Sequence, residues 1–481
     1  MAERSTTRLS GERVGPGQLE TAAEASAQAL PGPAFAAWAI TLGSAVLSRL
    51  RADAYLRWAL LFVLLALALR VAWVATVDPY PLDGRFDDTE FYDASAKALA
   101  DGKGYLNFEQ QPTARWPVGY SGLVASLYVV FGHNVAAPKA LNVFLGAATV
   151  LAVYALGARL FDRRVGVTAA ALLALFPSQI FFSTLVMTEV LFAALLTLVV
   201  LLTVFWTLGE ERPAAYKLLL LGLLLGYGAI TRGEGSGLVL AVLVIWWLAR
   251  VGWRSFLRRS ALLLAGVVLV VAPWSIRNFV VFRAPVFVST ALGSALWQGN
   301  RADVYTPRDT GFDTKFYDQY ADVPYPRKEV EMNSAAMREA LDFVIHNPGT
   351  EATLVFKKLY HLYREDSIGL VWIEGPGGRQ SIPDSLQAKL ETVANAYYFV
   401  VLGWVLLTAP LWFAFRDRAR FLLPLTIAVL TAMHLVFVPN PRYHFAFIPI
   451  LCILAAQGAV TIRRRLKAGS VGPGDGLGAQ S

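Results

Sequence analysis

Apolar residues run in long blocks through most of the chain, parted by short polar stretches that hold many of the arginines. A helix needs about 20 mostly apolar residues to cross a bilayer. Ten blocks meet or approach that length, at 56–77, 136–160, 165–182, 189–208, 217–231, 236–250, 260–276, 393–415, 421–438 and 444–462. The stretch 34–48 is apolar but short and ends in Ser48-Arg49-Leu50-Arg51. It reads as an interfacial helix, with an additional span as the alternative. Residues 118–131 are also short for a crossing and suit a helix lying at the membrane surface.

Two longer polar intervals break the pattern. One, at 78–135, follows the first span; the other, at 278–392, is long enough for a small folded domain. Within it, 328–346 has the apolar spacing of an amphipathic helix and stops at Asn347-Pro348-Gly349. The polar ends, 1–33 and 466–481, read as disordered cytoplasmic tails. The expected architecture is an all-α polytopic membrane protein with about ten transmembrane helices, juxtamembrane helices and a small extracytoplasmic domain. Its parts are a membrane module at 34–277, the domain at 278–392 and closing helices at 393–465.

Composition agrees with lipid as the solvent. Of 481 residues 56% are hydrophobic and 16% charged, against roughly 25% charged in soluble domains. The net charge of +8 is spread over short clusters rather than gathered into a nucleic-acid-binding surface. Alternate loops hold Arg49/Arg51/Arg57, Arg159/Arg163/Arg164, Arg212/Lys217, Arg250/Arg254/Arg258/Arg259, Arg416/Arg418/Arg420 and Arg463/Arg464/Arg465. With ten spans and both termini cytoplasmic, all six clusters fall on the cytoplasmic side. The single cysteine, Cys452, excludes an internal disulfide and reads as a small packing residue. Neither a phosphate-binding Gly-x-x-x-x-Gly-Lys loop nor a His-Glu-x-x-His zinc motif occurs, and the five histidines are scattered.

Chemistry-bearing residues collect on the other side. The first outer loop contains Asp83, Asp87, Asp88 and Glu90 within eight positions. Asp87 has the place of a helix N-cap, with Glu90 three residues on as in a capping box. That leaves Asp88, one turn before Tyr92, as the candidate base. Glu189 stands at a span entrance, where an acid either marks the interface or reaches the same cavity as Asp88. Arg232, Arg277 and Arg442 lie at outer helix ends, against the positive-inside trend. Each either snorkels or pairs locally, as Arg232 does if it meets Glu234, or helps form a phosphate clamp.

The order of short motifs resembles the C-type glycosyltransferase superfamily. The nearest branch contains the lipid A aminoarabinose transferase and the dolichyl-phosphate-mannose-type protein mannosyltransferases. The resemblance rests on Asp88 with Tyr92, Ala98-Leu-Ala-Asp-Gly-Lys-Gly-Tyr105, Pro112-Thr-Ala-Arg-Trp-Pro-Val-Gly-Tyr120 and Arg159-Leu-Phe-Asp-Arg-Arg-Val-Gly166. It continues through Phe176-Pro177, Thr188-Glu189, Thr231-Arg-Gly-Glu234, Pro273-Trp-Ser-Ile-Arg-Asn278, Gly299-Asn300 and Pro441-Arg-Tyr-His444. It implies an inverting transfer of a sugar from a polyprenyl-phosphate donor to an acceptor hydroxyl, on the outer face of a bacterial inner membrane. The catalytic acid would be Asp88. Asp87 stays open, because many relatives have Asp-Glu where this chain has Asp87-Asp88; many also have two prolines near Trp116-Pro-Val. Glu189 would be the acid of the second outer loop. Arg442, Arg232 and Arg277 would clamp the donor phosphate, and Tyr92, Glu90, Tyr443 and His444 would line the pocket. No cofactor is required, and a divalent metal is optional. The partners implied are the lipid-linked sugar, membrane lipids and an unspecified lipid, polysaccharide or protein acceptor. The alternative is a transporter or flippase of a lipid-linked sugar, although such proteins commonly carry internal repeats and none is visible here.

Overall fold

The computed structural model describes residues 52–80, 87–304, 311–374, 381–413 and 417–470. The chain divides into two compact units, 1–57 and 58–481, and the account below concerns the second. The stretch 34–48, both predicted tails up to 33 and beyond 470, and Asp83 lie outside the described residues.

Among the described residues the elements are helical, apart from one isolated bridge between Leu106 and Pro112. Helix α1 (Ala54–Thr76) leads to α2 (Asp88–Ala100), α3 (Gly119–Phe131) and α4 (Ala136–Leu160). Next come α5 (Arg163–Ala174), the short α6 (Pro177–Phe181), α7 (Thr188–Thr203), α8 (Ala215–Thr231), α9 (Gly235–Leu248) and α10 (Trp253–Phe282). The second polar interval carries α11 (Leu292–Gly299), α12 (Gly311–Gln319), α13 (Arg327–His346), α14 (Pro348–Tyr363) and α15 (Ile368–Glu374). The chain closes with α16 (Asp384–Leu407), α17 (Pro410–Phe413), α18 (Arg418–Val436), a 3-10 turn at Pro441–Phe447 and α19 (Ile448–Ser470).

Every apolar block forms helix, yet the count of ten full spans is not reproduced. Among the described residues seven helices are long and apolar enough to cross, and the pair 163–174 and 177–184 makes an eighth if taken together across its 61° bend. The bend sits at Phe176-Pro177, where proline lacks the N–H that would continue the helix. The remaining two blocks are α8, of 17 residues, and α9, of 14. Both flank the Arg232–Glu234 turn, where the hydropathy blocks 217–231 and 236–250 also part. Within the stretch predicted as a tail from 466, α19 continues to Ser470.

Contacts join loops that the arginine spacing assigns to one side. At one end Arg464 pairs with Asp162 at 2.6 Å, and Arg420 Nε donates to the Leu160 carbonyl at 2.8 Å. At the same predicted end Arg259 donates to the carbonyls of Thr207, Glu210 and Glu211 at 2.7–2.8 Å. These groups satisfy carbonyls left open where helices end. Asp88, Glu189, Arg232 and Arg442, which the loop count places on the other side, meet one another there.

Helix approach relies on missing side chains. A Cβ on Gly222 of α8 would lie 2.1 Å from the Leu263 carbonyl oxygen, and one on Gly266 of α10 would lie 2.4 Å from that of Leu219. Two backbones thus touch directly, the usual way for helices to gain contact where lipid removes the hydrophobic drive. We expect Gly222→Leu to lower the thermal midpoint in detergent by several degrees. Gly228→Ala on the same helix, where an added Cβ meets nothing within 4 Å, should leave it nearly unchanged.

Candidate active site

Four breaks in helical structure deliver the site. The first is the start of α2, where Asp87 adopts an extended backbone and its carboxylate accepts from the N–H groups of Thr89 at 2.9 Å and Glu90 at 3.1 Å. Asp87 is therefore the N-cap. Asp88, the first helical residue, instead points its carboxylate at Arg442, with Oδ2 2.6 Å from Nη2. Arg442 comes from the turn between α18 and α19. There Asn440 caps the turn by accepting from the Arg442 N–H at 3.1 Å, and Pro441 occupies the first position.

Glu189, in the first turn of α7, and Arg232, at the end of α8, complete the arrangement. Arg232 Nη1 lies 2.8 Å from both Glu189 Oε1 and Thr188 Oγ1. Its Nη2 lies 3.1 Å from Glu234 Oε1. Glu189 Oε1 is also 3.8 Å from Arg442 Nε, close enough for charge attraction and too far for a hydrogen bond. Charges therefore alternate along Glu234, Arg232, Glu189, Arg442 and Asp88. All five side chains are at most 19% exposed, so each depends on its neighbours for the solvation that water would supply. Burial acts to raise the pKa of Glu234, but the Arg232 guanidinium outweighs it and holds the carboxyl at about 2. Burial likewise opposes the charge on Arg232, while Glu234 and Glu189 raise its pKa overall.

Aromatic rings frame the two guanidiniums. Arg232 and Arg442 lie 5.0 and 5.4 Å from the Tyr443 ring, and Trp372 of α15 covers Arg442 at 4.6 Å. His434 of α18 stacks on Tyr443. A small cavity is lined by Glu189, Arg232, Glu234, His434, Arg442 and Tyr443. Arg442 Nε is buried there without a hydrogen-bond partner. The arrangement offers two fixed cations, one with an unspent donor, beside a carboxylate able to take a proton. Among the described residues no three His, Cys, Asp or Glu side chains are grouped to hold a metal.

Two expected site residues are placed elsewhere. Arg277 donates to the carbonyls of Thr113 at 2.8 Å and Tyr105 at 3.2 Å, with Trp274 stacked against it at 4.9 Å. It pins the first loop to α10 and does not join Arg232 and Arg442. Glu329 of α13 grips the same loop through Thr113 Oγ1 and the Ala114 N–H, and also accepts from Thr290 Oγ1 ahead of α11. His444 turns its ring away from the cavity into a buried contact with Leu362 and Asp366. His444 follows Tyr443 in the 3-10 turn, but its two ring nitrogens face Leu362 and Asp366 instead of the cavity.

Tyr92 is buried against Tyr120; burial and then the Asp88 carboxylate raise its hydroxyl pKa, keeping the phenol protonated. Glu90 stays in the first turn of α2 beside the cap. Reading the sequence left out His434 and Trp372. A histidine inside an apolar block hinted at the first, whereas nothing local marked the second.

Residues 117–276 match the family model of the dolichyl-phosphate-mannose-protein mannosyltransferases. Among solved structures, the archaeal oligosaccharyltransferase AglB from Archaeoglobus fulgidus, in complex with an inhibitory peptide and a dolichol-phosphate, is 15% identical with a TM-score of 0.51. That match covers 90% of this chain and 53% of AglB. The apo form of the Archaeoglobus fulgidus oligosaccharyltransferase gives 14% identity and 0.51, over 87% of this chain and 51% of the other. ArnT from Cupriavidus metallidurans bound to undecaprenyl phosphate aligns more loosely, at 14% and 0.43, over 85% and 80% of the two chains. The chain thus spans about half the length of the oligosaccharyltransferase structures whose fold it shares. No curated protein matches it by sequence.

The depressed pKa of Glu234 has a thermodynamic consequence. Its ion pair stabilises the folded protein above the ordinary carboxyl pKa of about 4.5, and that contribution fades as pH falls toward about 2. The difference in thermal midpoint between the parent and Glu234→Gln should be largest near pH 7, corresponding to at most roughly 3 kcal/mol, and should shrink below pH 4.5.

Proposed function

We propose that this chain, which has the C-type glycosyltransferase fold, transfers a sugar from a polyprenyl-phosphate donor to an acceptor hydroxyl with inversion at the anomeric carbon. One observation carries the reading. Asp88, just past the first span, and Arg442, just before the last helix, meet at 2.6 Å beside Glu189 and Arg232. The site's position supports an extracytoplasmic face, since it lies opposite the arginine-rich loops. A bacterial inner membrane is the matching location.

In the proposed cycle, the Asp88 carboxylate is first occupied by Arg442 and is a poor base. The donor phosphate competes for that guanidinium, whose planar fork suits two phosphate oxygens. As Arg442 turns to the phosphate, Asp88 is released toward the acceptor. The acceptor oxygen bonds to the anomeric carbon while the carbon–oxygen bond to phosphate breaks, and the proton passes to Asp88. Polyprenyl phosphate leaves with the electron pair, and Arg442 and Arg232 balance its added charge. Fixed cations are effective there because they need no reorganisation as charge develops. Glu189 and Glu234 keep Arg232 in place, and the acids oppose the positive charge growing on the sugar ring. Guanidiniums supply the positive charge, so no metal is obligatory in this scheme.

Purified protein should move label from one member of a radiolabelled polyprenyl-phosphate-sugar panel onto a lipid, polysaccharide or protein acceptor. Asp88→Asn should lower kcat by about 10²- to 10⁴-fold while retaining donor binding; undiminished turnover by this variant would sink the assignment. Transfer should persist in excess EDTA. Loss reversed only by a divalent ion would show that the guanidiniums are insufficient.

A further inference from the structure

His444 lies two residues past Arg442 in the same 3-10 turn and has no exposed surface. Its ring is stacked nearly parallel with those of Tyr398 and Tyr363, at centroid distances of 4.7 and 5.9 Å. Nδ1 is 2.7 Å from the Leu362 carbonyl oxygen, and Nε2 is 2.9 Å from Asp366 Oδ1. A neutral imidazole has only one N–H. Both contacts are therefore hydrogen bonds only if His444 is protonated against an ionised Asp366, or if Asp366 itself carries the proton and donates it to Nε2.

Asp366 is 2% exposed, its Oδ2 has no hydrogen-bond partner, and its own N–H donates to Asn395 Oδ1 at 2.7 Å. A buried pair of this kind contributes little to stability compared with apolar side chains of similar volume. Its placement suggests another role. Leu362 belongs to α14, and Asp366 lies in the link to α15, the helix whose Trp372 covers Arg442. Helix α15 is seated by Gly369, where a Cβ would come within 2.9 Å of the Phe182 ring. Phe182 in turn packs on Phe445 of the turn, and the Phe445 carbonyl accepts from Gln179 Nε2 at 3.2 Å. The Arg442 turn is thus held from two sides, and His444–Asp366 is its polar attachment to the segment that carries the covering tryptophan.

We infer that His444 and Asp366 are positioning residues that fix the 441–447 turn so that Arg442 faces the donor phosphate with Trp372 above it. The chemical part of this inference rests on the proposed role of Arg442 as a phosphate ligand; the geometric part does not. Both residues act through Arg442 and touch no reacting atom.

The test uses the full chain carrying His444→Phe with Asp366→Leu, which removes both polar partners and retains a flat ring beside the tyrosines. Its thermal midpoint is expected within a few degrees of the parent. In its structure by electron cryo-microscopy, the Arg442–Asp88 separation should open beyond 4 Å from the present 2.6 Å. In parallel, kcat should fall at least tenfold and polyprenyl phosphate should bind at least tenfold more weakly, with KM for the acceptor unchanged. An angstrom-scale misplacement is enough for losses of this size. Asp366→Asn, which keeps the shape and one acceptor oxygen, should give an intermediate loss and provides the measurement if the double variant does not fold. A variant with the Arg442–Asp88 pair undisturbed and parental kcat would overturn the inference. Failure of the parent protein to transfer sugar or bind polyprenyl phosphate would instead remove the proposed function, leaving the variant's structure to decide the tether.

Discussion

Two guanidiniums and three carboxylates share a poorly solvated space at one end of the helical bundle, and each is stable there only because the next is present. A buried charge stripped of its partner costs several kcal/mol. The start of α2, the start of α7, the α8–α9 turn and the 441–447 turn are therefore drawn to one point. None of these segments supplies a balanced set alone. Arg232 and Glu234 come nearest, but Arg232 also reaches Glu189, and Glu189 lies within 3.8 Å of Arg442. The alternation of sign converts a local pairing into a connection across the whole bundle.

That connection runs through two of the helix breaks, the Arg232–Glu234 turn and the 441–447 turn. Interrupted backbone within a membrane is tolerated only where it is buried in protein or lines a cavity. Phe176-Pro177, the Arg232–Glu234 turn and the stretch between α18 and α19 are such places, and they lie beside largely buried helices. Most of α7 and of the 441–467 segment is enclosed by other helices, while α1 and α10 turn most of their surface outward. The enclosed helices bring charges to the site, and the outward ones carry apolar side chains suited to lipid.

The interval between α10 and α16 is tied to the membrane helices by polar contacts as well as by apolar packing. Lys358 of α14 is fully buried and donates to Asn300 Oδ1, Glu351 Oε1 and the Leu435 carbonyl, joining α14 to the end of α18. Glu329 fixes α13 to the first loop, and the His444 contact fixes α14 and α15 to the Arg442 turn. These ties anchor the interval to the helices that hold the charges.

Much of this was legible along the chain. Apolar block length marked which segments are helical, because bilayer thickness sets that length. Arginine spacing predicts which loops share a side, because moving charge across a bilayer is costly. Residue spacing also marked Asp87 as a cap and left Asp88 without a capping duty. The tertiary structure decided the rest. It directed Asp88 to Arg442, spent Arg277 on loop carbonyls, turned His444 inward and brought Trp372 from a distant segment over Arg442. The reason is geometric: a side chain at a helix break takes its direction from whatever packs beyond the break, and that neighbour is remote in sequence.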